Sequence, residues 1–310
     1  MSRIVITEFM EESAVTRLTG RFDTLYDPEL VNKPDDLIAA LEKAEALIVR
    51  NRTQVRGTIL ASAERLRAVG RLGVGLDNID VPACERRDIA VIPASGANDD
   101  SVAEYVITGA LMLRRTAYHA TERVAAGDWP RNQLMGREVM GARLGLVGFG
   151  SVARSTARRA AALGMSILAC DPHVEEDDPV WTEFNAGRRS FDDLLAEADV
   201  ISLHVPLNDN TRGLMDKVAL ARMKPDAVLI NAARGGVVDE HALSDALRSG
   251  RIAGAMLDVF EQEPLPGGTE LEDVPNLVLT PHIAGVTQES NVRVSNMIAD
   301  RISAELEKRS

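Results

Sequence analysis

The chain has 310 residues, of which 45% are hydrophobic and 26% charged, a balance typical of a folded protein of one or two domains. Its net charge of −12 argues against binding to nucleic acid and to anionic membrane surfaces. Its two cysteines, Cys84 and Cys170, supply neither a disulfide framework nor a zinc-type spacing. The sequence shows no apolar leader segment and no apolar run of membrane-spanning length. We therefore expect a cytoplasmic protein without a metal site.

The first third of the sequence alternates between strand and helix patterns. Strands are predicted at 4–7, 46–50, 71–74 and 89–93, and helices at 35–44 and 61–68. This alternation is typical of a parallel sheet covered by helices on both faces. Two loops lie at the ends of predicted strands: one contains Arg50 and Arg52, and the other, Gly73-Val74-Gly75, brings bare backbone to the carboxyl edge of the sheet. On spacing alone, each is better interpreted as an ordinary loop.

A long helix is predicted at 101–119, and its apolar side chains leave little polar surface. A helix of this kind is buried in a core or against another subunit. The alternation then resumes, with strands at 144–147, 166–170, 200–204, 227–231, 255–258 and 277–280 and helices at 151–163, 192–197, 240–249 and 288–308. The predicted fold class is α/β, with doubly wound parallel sheets.

The segment from Arg143 to Asp171 has the pattern of a dinucleotide-binding unit. Its G-x-G-x-x-A motif follows a strand and opens a helix: Gly148 permits a tight turn, and Gly150 lets a pyrophosphate approach the helix N terminus. Asp171 ends the next strand at the spacing, about 20 residues, of the acid that binds ribose hydroxyls. Its charge repels a 2′-phosphate, so we predict NAD rather than NADP. The alternative is a tight turn without a ligand.

Four candidate site residues lie at or just after the ends of later predicted strands: Arg234, Asp258, Glu263 and His282. Hydride transfer to a 2-oxo acid needs a cation for the carboxylate and carbonyl, a proton donor that titrates near neutral pH, and a carboxylate that orients this donor. Arg234, His282 and Glu263 supply one of each. Taken singly each could be structural, but together behind a nucleotide motif they favour catalysis.

Several motifs resemble the D-isomer-specific 2-hydroxyacid dehydrogenase family, which includes phosphoglycerate dehydrogenases, hydroxypyruvate/glyoxylate reductases and D-lactate dehydrogenases. They are VGLDNID from Val74, SVAE from Ser101, GLVGFGSVA from Gly145, HVPL from His204, NAARGGVVDE from Asn231, LDVFEQEP from Leu257 and TPHIAG from Thr280. The resemblance implies a Rossmann-like NAD-binding domain, 99–286, inserted into a flavodoxin-like substrate domain, 1–98 plus 287–310. It also implies a homodimer formed through the region 101–119.

The resemblance also implies roles for individual residues. The family's catalytic arginine, glutamate and histidine fall on Arg234, Glu263 and His282, and the first and last of these also touch substrate and cofactor. The backbone amides that bind the substrate carboxylate fall on Val74 and Gly75. Further cofactor contacts fall on Ser151, Val152, Pro206, Thr211, Ala232, Ala233, Asp258, Ala284 and Gly285.

The loop containing Arg50 and Arg52 resembles the one that faces the distal phosphate of the substrate in phosphoglycerate dehydrogenases. Two guanidinium groups suit an anion on C3, so we expect a substrate of the 3-phosphoglycerate or 3-sulfolactate type. The alternative for this loop is that one arginine pairs with an acidic neighbour.

Two alternative functions remain open from the sequence: a hydroxypyruvate/glyoxylate reductase, and a non-catalytic NAD(H) sensor like the family's corepressors. The retained Arg234, Glu263 and His282 argue against a sensor, which has no need of a proton donor. A formate or phosphonate dehydrogenase is a further alternative, and Glu263 argues against the formate type.

Overall fold

The computed structural model describes residues 3–308 and divides the chain into two compact units. Within the described residues, one unit contains 3–98 and 286–308, and the other is Asp99–Gly285. Residues 1–2 and 309–310, assigned from the sequence to the substrate domain, lie outside the described residues. Each unit is built on one parallel sheet, which confirms the predicted α/β fold class.

The first unit has a five-stranded sheet in the order β2-β1-β3-β4-β5, the strand order of flavodoxin-like folds. Its strands are β1 (Arg3–Ile6), β2 (Asp23–Tyr26), β3 (Ala46–Val49), β4 (Ala68–Arg71) and β5 (Ala90–Pro93). Its helices are α1 (Glu12–Thr19), α2 (Pro34–Leu41), α3 (Gly57–Ser62), α4 (Val81–Arg86) and, from the end of the chain, α12 (Gln288–Lys308). All neighbouring strands are parallel, so their carboxyl ends lie at one edge of this sheet.

The sequence-based placement of two elements in this unit was wrong. The helix predicted at 61–68 ends at Ser62, and the strand predicted at 71–74 lies earlier, at β4. For the strand, the reason is a contact distant in sequence: α12 packs so closely on β4 that a Cβ on Gly70 would lie 2.7 Å from the Ile298 side chain. Glycine in this strand therefore reflects packing, which no local pattern shows. The edge strand β2 was not predicted.

The second unit has a seven-stranded parallel sheet in the order β12-β11-β10-β9-β6-β7-β8, which contains the Rossmann order 3-2-1-4-5-6. Its strands are β6 (Arg143–Val147), β7 (Ser166–Cys170), β8 (Ala186–Arg188), β9 (Val200–Leu203), β10 (Val228–Asn231), β11 (Gly254–Leu257) and β12 (Leu277–Leu279). Its helices are α5 (Asp99–Arg115), α6 (Thr121–Ala125), α7 (Ser151–Ala162), α8 (Val180–Glu183), α9 (Phe191–Glu197), α10 (Lys217–Arg222) and α11 (Glu240–Arg248).

The long helix predicted at 101–119 is shorter than expected. It begins at Asp99 and ends at Arg115, because Thr116 adopts a left-handed conformation with φ of +54°, and a short 3₁₀ turn follows at Ala117–Ala120. One face of α5, which includes Val106 and Ala110, is buried in the core of this unit. No helix within residues 3–308 is both long and apolar enough to cross a membrane.

Candidate active site

The glycine turn after β6 has the geometry that a dinucleotide requires. Gly148 has φ of +88°, and a Cβ there would lie 2.7 Å from the carbonyl oxygen of His204, so this position needs glycine. Gly150 precedes the first residue of α7, and a Cβ on it would meet nothing within 4 Å. No side chain caps the N terminus of this helix. Backbone amides and the positive end of the helix dipole are thus presented to a phosphate group.

Asp171 joins this turn to the end of β7. Its Oδ2 accepts a hydrogen bond from the backbone amide of Phe149 at 2.8 Å, and its Oδ1 accepts one from the amide of His173 at 2.9 Å. The half-buried carboxylate is therefore fixed beside the glycine turn, where a ribose would follow the pyrophosphate. These residues fit a bound NAD(H).

The turn that carries Arg234 follows β10. It is held by the side chain of Asn231 and by close contact with the loop of Phe260. The buried side chain of Asn231 accepts a hydrogen bond from the Ala233 amide and donates one to the Arg234 carbonyl. Gly235 lies so close to the next loop that a Cβ on it would be 1.7 Å from the Phe260 carbonyl oxygen. The missing Cβ lets the turn lie directly against the loop that carries Glu263.

His282 and Glu263 form a hydrogen-bonded pair beyond the ends of β11 and β12. The Nδ1 of His282 lies 2.6 Å from Oε2 of Glu263, and Oε1 of Glu263 accepts the amide of Phe260 at 3.1 Å. An ionised carboxylate only accepts hydrogen bonds, so Nδ1 of His282 is the donor and Nε2 is the ring nitrogen left to face a substrate. His282 has φ of +52°, a conformation that strains a residue with a side chain.

The pKa of Glu263 is lowered from its ordinary value by its surroundings. Partial burial raises it, but this effect is outweighed by the hydrogen bond and charge of His282, the amide of Phe260 and the charge of Arg234. Arg234, Glu263 and His282, separated widely in sequence, therefore act on one another at one edge of the sheet. The group combines a fixed cation, an ionised carboxylate and an imidazole.

Asp258 holds the turn that carries His282. Its carboxylate is 1% exposed and accepts hydrogen bonds from the Thr280 hydroxyl at 2.6 Å and from the amides of Ile283 and Ala284, both at 2.8 Å. The Tyr105 hydroxyl lies 2.6 Å from that of Thr280. The Asp258 carboxylate is thus occupied by hydrogen bonds within the protein. This favours a role in positioning the turn of His282 over the direct cofactor contact expected from the sequence. Tyr105 and Thr280 were not identified from the sequence, because α5 reaches this turn only in the folded chain.

The predicted cofactor contacts after β9 lie on an exposed turn. The Thr211 hydroxyl donates to the carbonyl of Pro206 at 2.6 Å and accepts the amide of Asn208 at 2.9 Å. The side chain of Thr211 thus holds the shape of this turn. Strand β9 neighbours β6, which ends at the glycine turn. The turn of Thr211 and the glycine turn therefore extend from the same edge of the sheet.

The other predicted substrate residues, beside Arg234 and His282, lie in the first unit on two adjacent loops. Arg50 and Arg52 belong to residues 50–53, which we call the arginine loop. The side-chain amide of the buried Asn78 donates to the carbonyls of Arg50 at 3.1 Å and Thr53 at 2.7 Å. Val74 and Gly75 begin the segment that contains Asn78, so one side chain joins the two loops.

Neither guanidinium group of the arginine loop pairs with a carboxylate within residues 3–308. Arg50 donates to the side-chain oxygen of Asn291 at 2.8 Å and lies 5.7 Å from the ring centre of Phe9, while Arg52 donates to the side-chain oxygen of Asn32. The structure thus shows no direct ion pair of the kind that the alternative describes, although the charge of Glu8 acts on Arg50. The direct hydrogen-bond partners of both guanidinium groups are uncharged.

A Rossmann-type sheet, a dinucleotide turn and an Arg–Glu–His group on one sheet define the class of nicotinamide-dependent oxidoreductases. A sequence profile of the D-isomer specific 2-hydroxyacid dehydrogenase, NAD binding domain, matches residues 107–284. The chain is 55% identical over 302 residues to the (S)-sulfolactate dehydrogenase of Chromohalobacter salexigens, with 97% of each chain covered. The chain therefore belongs to the D-isomer-specific 2-hydroxyacid dehydrogenase family.

Two further comparisons agree with this family. Identity to the D-3-phosphoglycerate dehydrogenase of Archaeoglobus fulgidus is 40% over 268 residues, which cover 86% of this chain and 50% of that one. The chain thus spans about half the length of that relative. A D-lactate dehydrogenase from Aquifex aeolicus, solved with NAD and lactic acid, is 27% identical and superposes with a TM-score of 0.83 over 99% of this chain and 96% of that one. The predictions of an NAD-dependent 2-hydroxyacid dehydrogenase and of NAD as its cofactor are confirmed.

Proposed function

We propose that this dehydrogenase acts on a 2-hydroxy acid that carries an anionic group on C3, of the 3-sulfolactate type. The observation that carries the proposal is the arginine loop, in which Arg50 and Arg52 are oriented by asparagine side chains and keep their charge for a ligand. A guanidinium group matches the planar oxygens of a sulfonate, phosphate or carboxylate. The 55% identity to an (S)-sulfolactate dehydrogenase supports the sulfonate among these anions.

The stereochemistry of that relative agrees with a D-specific family. In lactate the carboxyl carbon outranks the methyl carbon, and the D isomer has the R label. In 3-sulfolactate the sulfur-bearing carbon outranks the carboxyl carbon, so the same spatial arrangement takes the S label. An (S)-sulfolactate dehydrogenase and a D-lactate dehydrogenase therefore act on the same face of the 2-oxo group, and we assign this face to the present chain.

In the proposed reaction each unit has a separate task. In the first unit, the amides of Val74 and Gly75 bind the substrate carboxylate, and the arginine loop binds the group on C3. In the second, Arg234 polarises the 2-oxo group, and His282 donates a proton from Nε2 while Glu263 holds its Nδ1–H. NAD(H), when bound, supplies or accepts the hydride. Its pyrophosphate would be held by Gly148, Gly150, Ser151 and Val152, and its ribose by Asp171.

Replacing Arg50 with alanine tests the substrate assignment. Loss of one charge-assisted contact should raise KM for sulfopyruvate about 10- to 100-fold. KM for glyoxylate, which has no C3, should change far less. Arg65→Ala removes an exposed arginine of the same unit and serves as the control in the same NADH oxidation assay. An equal rise in KM for both substrates in the Arg50 variant would contradict the assignment.

We also propose that the protein is a cytoplasmic homodimer formed through α5 and the segment after it. Tyr118, Trp129 and Met135 follow α5 and are 62%, 76% and 78% exposed. Large apolar side chains exposed on one segment suit a second copy of the chain. The thiols of Cys84 and Cys170 are unpaired, which suits a reducing compartment.

A further inference from the structure

The carboxylate of Glu8 lies beneath the arginine loop and has no part in the activity described above. Glu8 follows β1 and is 5% exposed. Its Oε1 accepts the backbone amides of Arg50 at 2.9 Å and Thr53 at 3.0 Å, and its Oε2 accepts that of Arg52 at 3.2 Å. Both oxygens accept hydrogen bonds from N–H donors, which is the pattern of an ionised carboxylate.

This arrangement determines which groups of the loop remain for a ligand. Loops that bind phosphate commonly offer their backbone amides to it, as in anion-binding nests. Here the amides of Arg50, Arg52 and Thr53 point at Glu8 instead. An anion on C3 would therefore be bound by the guanidinium side chains, with an internal carboxylate behind them.

Glu8 also sets the charge of this part of the protein. Two guanidinium groups and one buried carboxylate leave a net charge of +1. The charge of Glu8 reaches the Arg50 side chain: burial lowers the pKa of Arg50, and the Glu8 carboxylate opposes that shift. A sulfonate carries one negative charge, whereas a phosphate monoester carries between one and a half and two at neutral pH. A net charge of +1 balances the single charge of a sulfonate. The charge of a phosphate monoester exceeds it and is left partly uncompensated.

We propose that Glu8 is a specificity-determining residue, whose buried negative charge makes the arginine loop prefer a singly charged sulfonate to a doubly charged phosphate on C3. The inference rests on the proposed function, since it requires the arginine loop to bind the C3 group. Glu8 acts through the loop and through its charge, without touching the substrate. Glu8 and Asn78 hold the loop from its amide and carbonyl sides respectively.

The test is a ratio of kcat/KM values, phosphohydroxypyruvate over sulfopyruvate, measured with NADH at pH 7.5. Because both values come from the same preparation, the ratio does not depend on how much protein is folded. Glu8→Gln keeps the size of the side chain and removes its charge. Removing a buried unit charge beside a partly screened charged site changes such a ratio by on the order of 10-fold. We expect a rise of that size in favour of the phosphate.

Three variants separate charge from geometry. Glu8→Asp keeps the charge on a shorter side chain and should keep the wild-type ratio. Glu12→Gln removes an exposed carboxylate of the same unit and should do the same. Arg52→Gln removes a positive charge from the loop and should move the ratio toward the sulfonate, which tests the charge argument even if Glu8→Gln does not fold.

An unchanged ratio in Glu8→Gln, or an equal shift in Glu8→Asp, would overturn the role of Glu8 and leave the proposed function standing. If Glu8→Gln does not fold, an Arg52→Gln ratio that stays constant or moves toward the phosphate would overturn it. A wild-type enzyme that does not prefer C3-anionic substrates over glyoxylate would overturn both the role of Glu8 and the proposed function.

Discussion

Replacing His282 with alanine is expected to lower kcat for 2-oxo acid reduction by about 10²- to 10⁴-fold, the usual contribution of a positioned general acid. The physical reason is the pairing of its Nδ1 with Glu263 at 2.6 Å, which leaves Nε2 available for the proposed proton donation. NADH binding, measured by fluorescence titration, should be nearly unchanged, because the glycine turn and Asp171 lie after other strands of the sheet.

His241 provides a matched control for this variant. It lies on α11 with a side chain that is 76% exposed, so His241→Ala should leave kcat and KM at their wild-type values. Intact turnover in His282→Ala would rule out the proposed proton donor. A parallel loss of NADH affinity would instead assign His282 to cofactor binding.

Replacing Glu263 with glutamine is expected to lower kcat by about 10²-fold, because the amide keeps the shape of the side chain but not the charge that accepts the Nδ1–H of His282. The control is Glu261→Gln, an exposed glutamate two positions away in the same loop. If both variants lose activity equally, the loop conformation matters and the Glu263–His282 pair does not. Steady-state kinetics of the two proteins separates these outcomes.

The lowered pKa of Glu263 also predicts how the stability of the fold depends on pH. A carboxyl group with a pKa that is lower in the folded state binds its proton more readily when unfolded. Its stabilising contribution is present above the unfolded-state pKa and is lost as pH falls through the lowered folded-state value. The difference in Tm between wild type and Glu263→Gln should therefore be largest above about pH 5 and shrink in more acidic solution. A difference that stays constant down to about pH 3 would show that the charge of Glu263 has no such role.

The sequence was sufficient to predict those elements whose geometry depends on the residues within them. Gly148 is required by its backbone conformation, and Gly150 leaves open space beside the N terminus of α7. Strand β7 has the bounds that were expected from its apolar pattern. The α/β class followed from the alternation of such elements. In contrast, β4 was misplaced because Gly70 is explained by packing against Ile298, which lies more than two hundred positions away.

The same distinction applies to the candidate site. Arg234, Glu263 and His282 were identified because each follows a strand and has a side chain suited to the chemistry. Glu8, Asn78 and Tyr105 were missed, because their side chains act on loops that only the fold brings to them. One signal for Glu8 was present in the sequence: a glutamate directly after a buried strand, at the sheet edge where open α/β sheets bind ligands. Long-range hydrogen bonds of this kind leave no periodic pattern.

The most direct test of the account is NADH oxidation by the purified protein with sulfopyruvate and with pyruvate, which differ in the anionic group on C3. Contacts from two guanidinium groups predict a kcat/KM at least about 100-fold higher for sulfopyruvate. Equal values for the two substrates would contradict a role for the arginine loop in substrate selection. Binding of NADH without its oxidation by either substrate would contradict the assignment of Arg234, Glu263 and His282 to the reduction of such 2-oxo acids.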